Sequence, residues 1–203
     1  MAGDPLTLER IQPASKHPAE QERVTSKSRL QQRRGELLSD LAARLLSGQD
    51  LDREVMPALY RALAAERIVD ATLGYIVTDM DQGMKLGFME GFDRDMIQRC
   101  LTLDFGQAIC GTVAVTRQAM HVTDIQKTFD PLADLVRGAG INAYACEPLI
   151  VGDRLLGTLS FASRQRRRFD PDDLSFFRSI AKQVALARDR ARRAKRREAT
   201  AAG

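Results

Sequence analysis

Residues 105–161 read FGQAICGTVAVTRQAMHVTDIQKTFDPLADLVRGAGINAYACEPLIVGDRLLGTLSF, and this stretch decides how the rest of the chain is understood. Gly106 opens a turn, residues 108–117 form a short apolar helix, and residues 119–125 form a brief extended segment that reaches Asp124. A second short helix, 131–137, stops at Gly138 and Gly140. Two runs dense in apolar and β-forming residues follow, 143–151 and 155–162, joined through Gly152 and Asp153 with charge at Arg154. Two such runs around a glycine turn are a hairpin signal.

Upstream of this stretch, residues 71–77 and 85–90 read as two more strands flanking the turn-rich TDMDQG of residues 78–83. Residues 94–99 make a helical turn and 101–103 return as a strand. Before them, Leu30, Leu37, Leu38, Leu41, Leu45 and Leu46 recur near helical spacing over 29–46, and Ser47-Gly48 supplies the stop. Asp50 caps a second helix over 51–66, whose stripe of Val55, Leu59, Leu63 and Ala64 faces a sheet. Pro57 moves the start of that helix toward Met56 or bends it there, because proline is damaging inside a helix. Downstream, Asp170 is an N-cap, Pro171 takes the first helical position and the following acids complement the helix dipole. The terminal helix then carries Leu174, Phe177, Ile180, Ala181, Val184 and Ala187 before fading into charge.

The expected organisation is a poorly ordered leader over 1–28 with Pro5, Pro13 and Pro18, a folded domain with flanking helices over 29–190, and a basic helical extension over 191–203. With 203 residues, one domain fits better than two. The strand and helix order gives an α+β class: a central antiparallel sheet, helices from both chain ends on one face, short helices and loops on the other. No window has the run of apolar residues a membrane span needs, and the N-terminus lacks an apolar signal segment, so a cytoplasmic protein without a membrane partner is expected. The three cysteines, Cys100, Cys110 and Cys146, are an odd count without a secreted framework and are expected reduced. The net charge of +4 is a tail property, since removing 188–203 leaves 24 basic and 25 acidic residues. Nucleic acid is therefore not an expected partner, although the tail leaves an adaptor that binds nucleic acid or protein as an alternative.

The Ile-Cys-Gly-Thr turn at 109–112, the Val-Thr-Asp-Ile segment at 122–125 and the Pro-Leu…Gly-Thr-Leu-Ser hairpin ending at Ser160 together resemble the GAF domain, a small-molecule-sensing module. The resemblance covers residues 37–190. It is nearest to the GAF domains of bacterial sensor histidine kinases, through the stretch from Gly140 to Leu149. It implies a GAF fold, a ligand cavity between the sheet and the short helices, dimerisation through the terminal helices and a signalling protein as partner. Because this scaffold serves chemically unrelated molecules, the ligand and any cofactor stay unknown.

Six residues are candidates for contact with a small-molecule ligand: Cys110, Thr112, His121, Asp124, Tyr144 and Cys146. Cys110 starts a helix, where the backbone dipole lowers a thiol pKa; the alternative is a packed small residue. Tyr144 and Cys146 share one face of their strand, and Ala145 and Glu147 the other. The spacing of Cys100 and Cys110, with the Cys-Gly-Thr turn, also resembles the GAF-fold free methionine-R-sulfoxide reductases. That family implies another cysteine around 130–137, where this chain has FDPLADLVR. The expectation is thus a non-enzymatic small-molecule or redox sensor acting as a homodimer, with a thiol-based reductase as the alternative. With only His17 and His121, no metal or haem site is expected. The arginines of 163–170 read as a solvated connector.

Overall fold

The computed structural model describes residues 18–78 and 83–201. The chain divides into two compact units, residues 1–36 and 37–203. Helix α1 spans Pro18–Leu46, so the first unit holds its N-terminal part. There Arg33 pairs with Glu36 at 2.9 Å and Gln32 donates to the same carboxylate at 3.2 Å, the side-chain spacing that supports an exposed helix. The helix starts eleven residues before the periodicity at 29 indicated. Residues 18–28 lack an apolar stripe but are rich in Glu, Gln, Lys and Arg, good helix formers, and Pro18 in the first position loses no hydrogen bond. The first seventeen residues of the expected leader lie outside the described residues, as do residues 79–82 of the TDMDQG turn.

In the second unit, Asp50 caps the next segment as expected, its carboxylate accepting from the N–H groups of Asp52 and Arg53 at 3.0 and 2.9 Å. One turn of π-helix, Leu51–Val55, precedes α2, Met56–Ala65. Pro57 sits in the first turn of α2, which resolves the ambiguity its position created. Strands β1 (Ala71–Val77) and β2 (Met84–Glu90) follow, then α3 (Arg94–Arg99), β3 (Thr102–Leu103), α4 (Ala108–Thr116) and β4 (Met120–Val122). A 3-10 turn, Pro131–Ala133, runs into α5 (Asp134–Gly138), and the hairpin β5 (Ala143–Val151) and β6 (Arg154–Ser163) leads to α6, Pro171–Ala201.

All pairings are antiparallel in one six-stranded sheet of order β3-β2-β1-β6-β5-β4. The sheet separates two apolar layers. On one side α6, α2 and the Leu37–Leu41 turn of α1 cover Phe88, Ala145, Leu159 and Phe161. On the other, α3, α4 and α5 cover Leu73, Tyr75, Tyr144 and Cys146. The start of α6 is a reciprocal cap: Asp173 N–H donates to the Asp170 carboxylate at 2.7 Å, and Asp170 N–H donates back to Asp173 at 3.0 Å.

Three of the four arginines after β6, Arg164, Arg166 and Arg167, are clamps rather than part of a solvated connector, while Arg168 is exposed. Arg164 reaches Asp70 at 3.2 Å and the carbonyls of Gly91 and Ala139 at 2.8 and 3.2 Å. Arg166 holds the buried Asp173 at 2.8 Å, and Arg167 holds Asp124 at 2.5 Å. Among the described residues no helix is long and apolar enough to cross a membrane.

Candidate functional site

A cavity of about 20 Å³ lies between the sheet and the short helices. It is bounded by Leu73 and Tyr75 of β1, Cys100 after α3, Ile109 and Cys110 of α4, Leu135 and Val136 of α5, and Tyr144 of β5. That volume suits one water-sized molecule, far below the few hundred Å³ of a metabolite pocket.

The Ile-Cys-Gly-Thr motif has a steric cause. A Cβ at Gly111 would stand 2.4 Å from the Asp104 carbonyl oxygen, so only glycine lets α4 press against the turn before it. Arg117, in the left-handed region at φ 57°, ends α4. This close seating carries Cys110 down onto the sheet. Its Sγ lies 3.1 Å from the Tyr144 hydroxyl and 3.3 Å from the Ser160 hydroxyl. Strand register puts Cys146 directly opposite Ser160 and two residues from Tyr144, on the same face. Thr158 Oγ1 is buried on this face too, outside hydrogen-bond geometry with any partner.

These neighbours set the ionisation order. The Cys146 thiol, and after it the Ser160 and Tyr144 hydroxyls, favour the thiolate of Cys110 against the cost of burial, and bring its pKa down to about 7. Burial, and then Cys110 itself, pushes Cys146 well up; Tyr144 is raised for the same two reasons. Cys110 therefore loses its proton first, while Cys146 and Tyr144 keep theirs and donate. Across the cavity, burial raises Cys100 and Tyr75.

Cys110, Tyr144 and Cys146 thus meet; the other three sequence candidates lie elsewhere. Thr112 donates back to the Ala108 carbonyl at 2.8 Å on the flank of α4. His121 pairs in register with Ala145, so it faces the helix layer, where its Nε2 lies 3.3 Å from the buried Glu147. Asp124 adopts a left-handed backbone at φ 51° and binds Arg167. Tyr75 and Cys100 line the cavity and Ser160 touches Cys110, three residues that the sequence does not mark as ligand contacts. Among the described residues no three His, Cys, Asp or Glu side chains gather as a metal site.

A family model described as GAF domain matches residues 53–189. Solved structures of the same fold include the GAF domain of a phosphoenolpyruvate-protein phosphotransferase from Coxiella burnetii, with a TM-score of 0.69 and 18% identity over 81% of this chain and 97% of that one. The free methionine-R-sulfoxide reductase of Neisseria meningitidis, in complex with its substrate, aligns with a TM-score of 0.66 and 19% identity over 79% and 91% of the two chains. The corresponding enzyme of Staphylococcus aureus in its reduced form gives 0.60 and 17% over 76% and 94%. No curated protein matches the sequence.

Proposed function

The chain belongs to the GAF domain family, and on that premise we propose that it is a non-enzymatic sensor in which a small molecule or a redox change at the cavity alters the packing of α6 and so regulates a signalling partner. The alternation along β5 carries this proposal. Tyr144 and Cys146 face the short-helix layer, Tyr144 lining the cavity itself, while Ala145 and Glu147, one residue away, face the helix layer. Glu147 is buried, with Arg178 of α6 at 3.8 Å and His121 at 3.3 Å. A shift of β5 driven from the cavity is therefore felt at once by α6. Such coupling requires that the ligand or modification favour one arrangement over the other.

Native mass spectrometry and the absorption spectrum of freshly purified protein test for a retained small molecule, and hydrogen exchange over residues 171–190 reads the response. Retained mass, or an added compound or oxidant that changes α6 exchange, supports sensing. Unchanged α6 exchange across a ligand library and oxidants removes it. The proposal includes a parallel homodimer through the terminal helices, for which the exposed Leu186 on α6 is a candidate contact. A monomer at micromolar concentration by light scattering removes that part.

A thiol reductase is the second reading, supported by Cys100 and Cys110 on one cavity and by the shared fold of the two reductases. Against it, residues 130–137 hold Asp134 and no cysteine. Thiol-dependent reduction of free methionine sulfoxide that vanishes in Cys110→Ser is the result that favours it.

A further inference from the structure

We propose that Cys110 and Cys146 form a peroxide-reactive dithiol, oxidised by hydrogen peroxide to an intramolecular disulfide that ties α4 to β5. This deepens the sensing proposal by naming the class of signal, and rests on that proposal only for its effect on α6.

The geometry assigns the two thiols different roles. Cys110 Sγ is surrounded by the Tyr144 and Ser160 hydroxyls, which stabilise negative charge on it. Thiolate, not thiol, is the nucleophile. It attacks one oxygen of the peroxide, the O–O bond breaks, and the leaving oxygen takes a proton to become water; Cys110 is oxidised by two electrons to the sulfenic acid. Cys146 then attacks the Cys110 sulfur, the S–O bond breaks, and the departing hydroxide takes the Cys146 proton as a second water. Two thiols and one peroxide thus give one disulfide and two waters.

Cys146 is placed for the second step by register: it is fully buried directly opposite Ser160, whose hydroxyl lies 3.3 Å from Cys110 Sγ. Cys100 shares the cavity but caps the C-terminal end of α3, away from the β5–β6 pair that carries Cys146 and Ser160. The cavity beside Cys110 accommodates a molecule little larger than water. It therefore admits hydrogen peroxide and excludes aromatic hydroperoxides.

The test uses the full chain, reduced and then exposed to hydrogen peroxide, with peptide mapping and intact mass. The expected result is a loss of two hydrogens, a Cys110–Cys146 peptide link, an alkylatable Cys100, and recovery of both thiols with dithiothreitol. Cumene hydroperoxide is expected to react at least about tenfold more slowly. Tyr144→Phe is expected to slow the reaction about tenfold, through the loss of one hydrogen bond to a charged sulfur. In Cys146→Ala, Cys110 is expected to gain one oxygen and be trapped by a sulfenic-acid reagent. A link through Cys100, a link between two chains, oxidation of all three thiols at one rate or no reaction of Cys110 each overturns the proposal. A correct disulfide with unchanged exchange over α6 leaves the dithiol standing and removes the sensing role instead.

Discussion

The two faces of the sheet are built from different materials. The helix face is apolar and locked: Phe161 stacks on Phe177 at 4.1 Å with planes 7° apart, and Phe169 meets the same ring edge-on at 4.9 Å. The short-helix face buries three thiols and two tyrosines, of which Cys100, Cys110, Tyr75 and Tyr144 line a small cavity, with Ser160 and Thr158 buried in the sheet. Dispersion and apolar burial on the first face do not depend on proton or redox state. The second face is held by groups whose charge and bonding change with chemistry. One face fixes the fold and the other is addressable, and β5 belongs to both.

The largest expected effect lies on the locked face. Phe177 is fully buried, and Phe177→Ala is expected to cost about 3–5 kcal/mol, the range for emptying an aromatic core position. Urea denaturation measures it, and a loss below about 1 kcal/mol would break the division between the faces. Next is the anchor of α6. Asp173 accepts from Arg166 and from the Asp170 N–H and is completely buried. Asp173→Ala is expected to cost about 2 kcal/mol through the lost cap and the arginine left beside it. No change in the denaturation midpoint would show that the helix is anchored by apolar contacts alone.

The difference between the faces also explains what the sequence made legible. Apolar periodicity and turn glycines located Ala143–Val151 and Arg94–Arg99 to the residue, because those signals are local. The cavity group is not local. Tyr75 is brought beside the β5 residues only through the β1–β6–β5 pairing, and Ser160 and Thr158 in LLGTLSF are indistinguishable from ordinary strand residues until register is known. Register also separates His121 from Tyr144. A strand presents alternate residues to opposite faces, so proximity along the chain to the cavity could not say that His121 points away. Arg164 and Arg167 looked solvated because their partners Asp70, Gly91 and Asp124 are far away in sequence.

On the addressable face, single changes should be mild for stability and strong for reactivity. Cys146→Ala is expected to cost about 1 kcal/mol at pH 6, where Cys110 keeps its proton and the variant loses one buried sulfur without orphaning a charge. The same variant should lose the intramolecular disulfide completely. A loss of stability matching that of Phe177→Ala would show that the thiol layer is as structural as the phenylalanine layer, and would erase the contrast.

The last expected effect is a pH dependence confined to this face. The pKa of Cys110 in the folded chain, about 7, lies below its ordinary value of 9.0. Between those pH values the unfolded chain binds more protons at this site than the folded one, so stability rises with pH through that window. The contribution is present above the unfolded value and lost as pH falls through about 7. Cys146 and Tyr144 act in the opposite sense, since both are raised above the ordinary values of 9.0 and 10.0. Above those values the unfolded chain ionises first at both groups, and stability falls. Together the group gives a maximum near pH 9, superimposed on the response of the rest of the molecule. Thermal melts of the protein and of Cys110→Ser across this range isolate it, with thiolate absorbance followed in parallel. The wild type should show a thiolate midpoint near neutrality and a melting temperature rising toward pH 9 relative to Cys110→Ser. Parallel melting curves for the two proteins, or a thiolate midpoint at the ordinary cysteine value, would mean that the hydroxyls around Cys110 pack against a thiol and do not stabilise its ionised form.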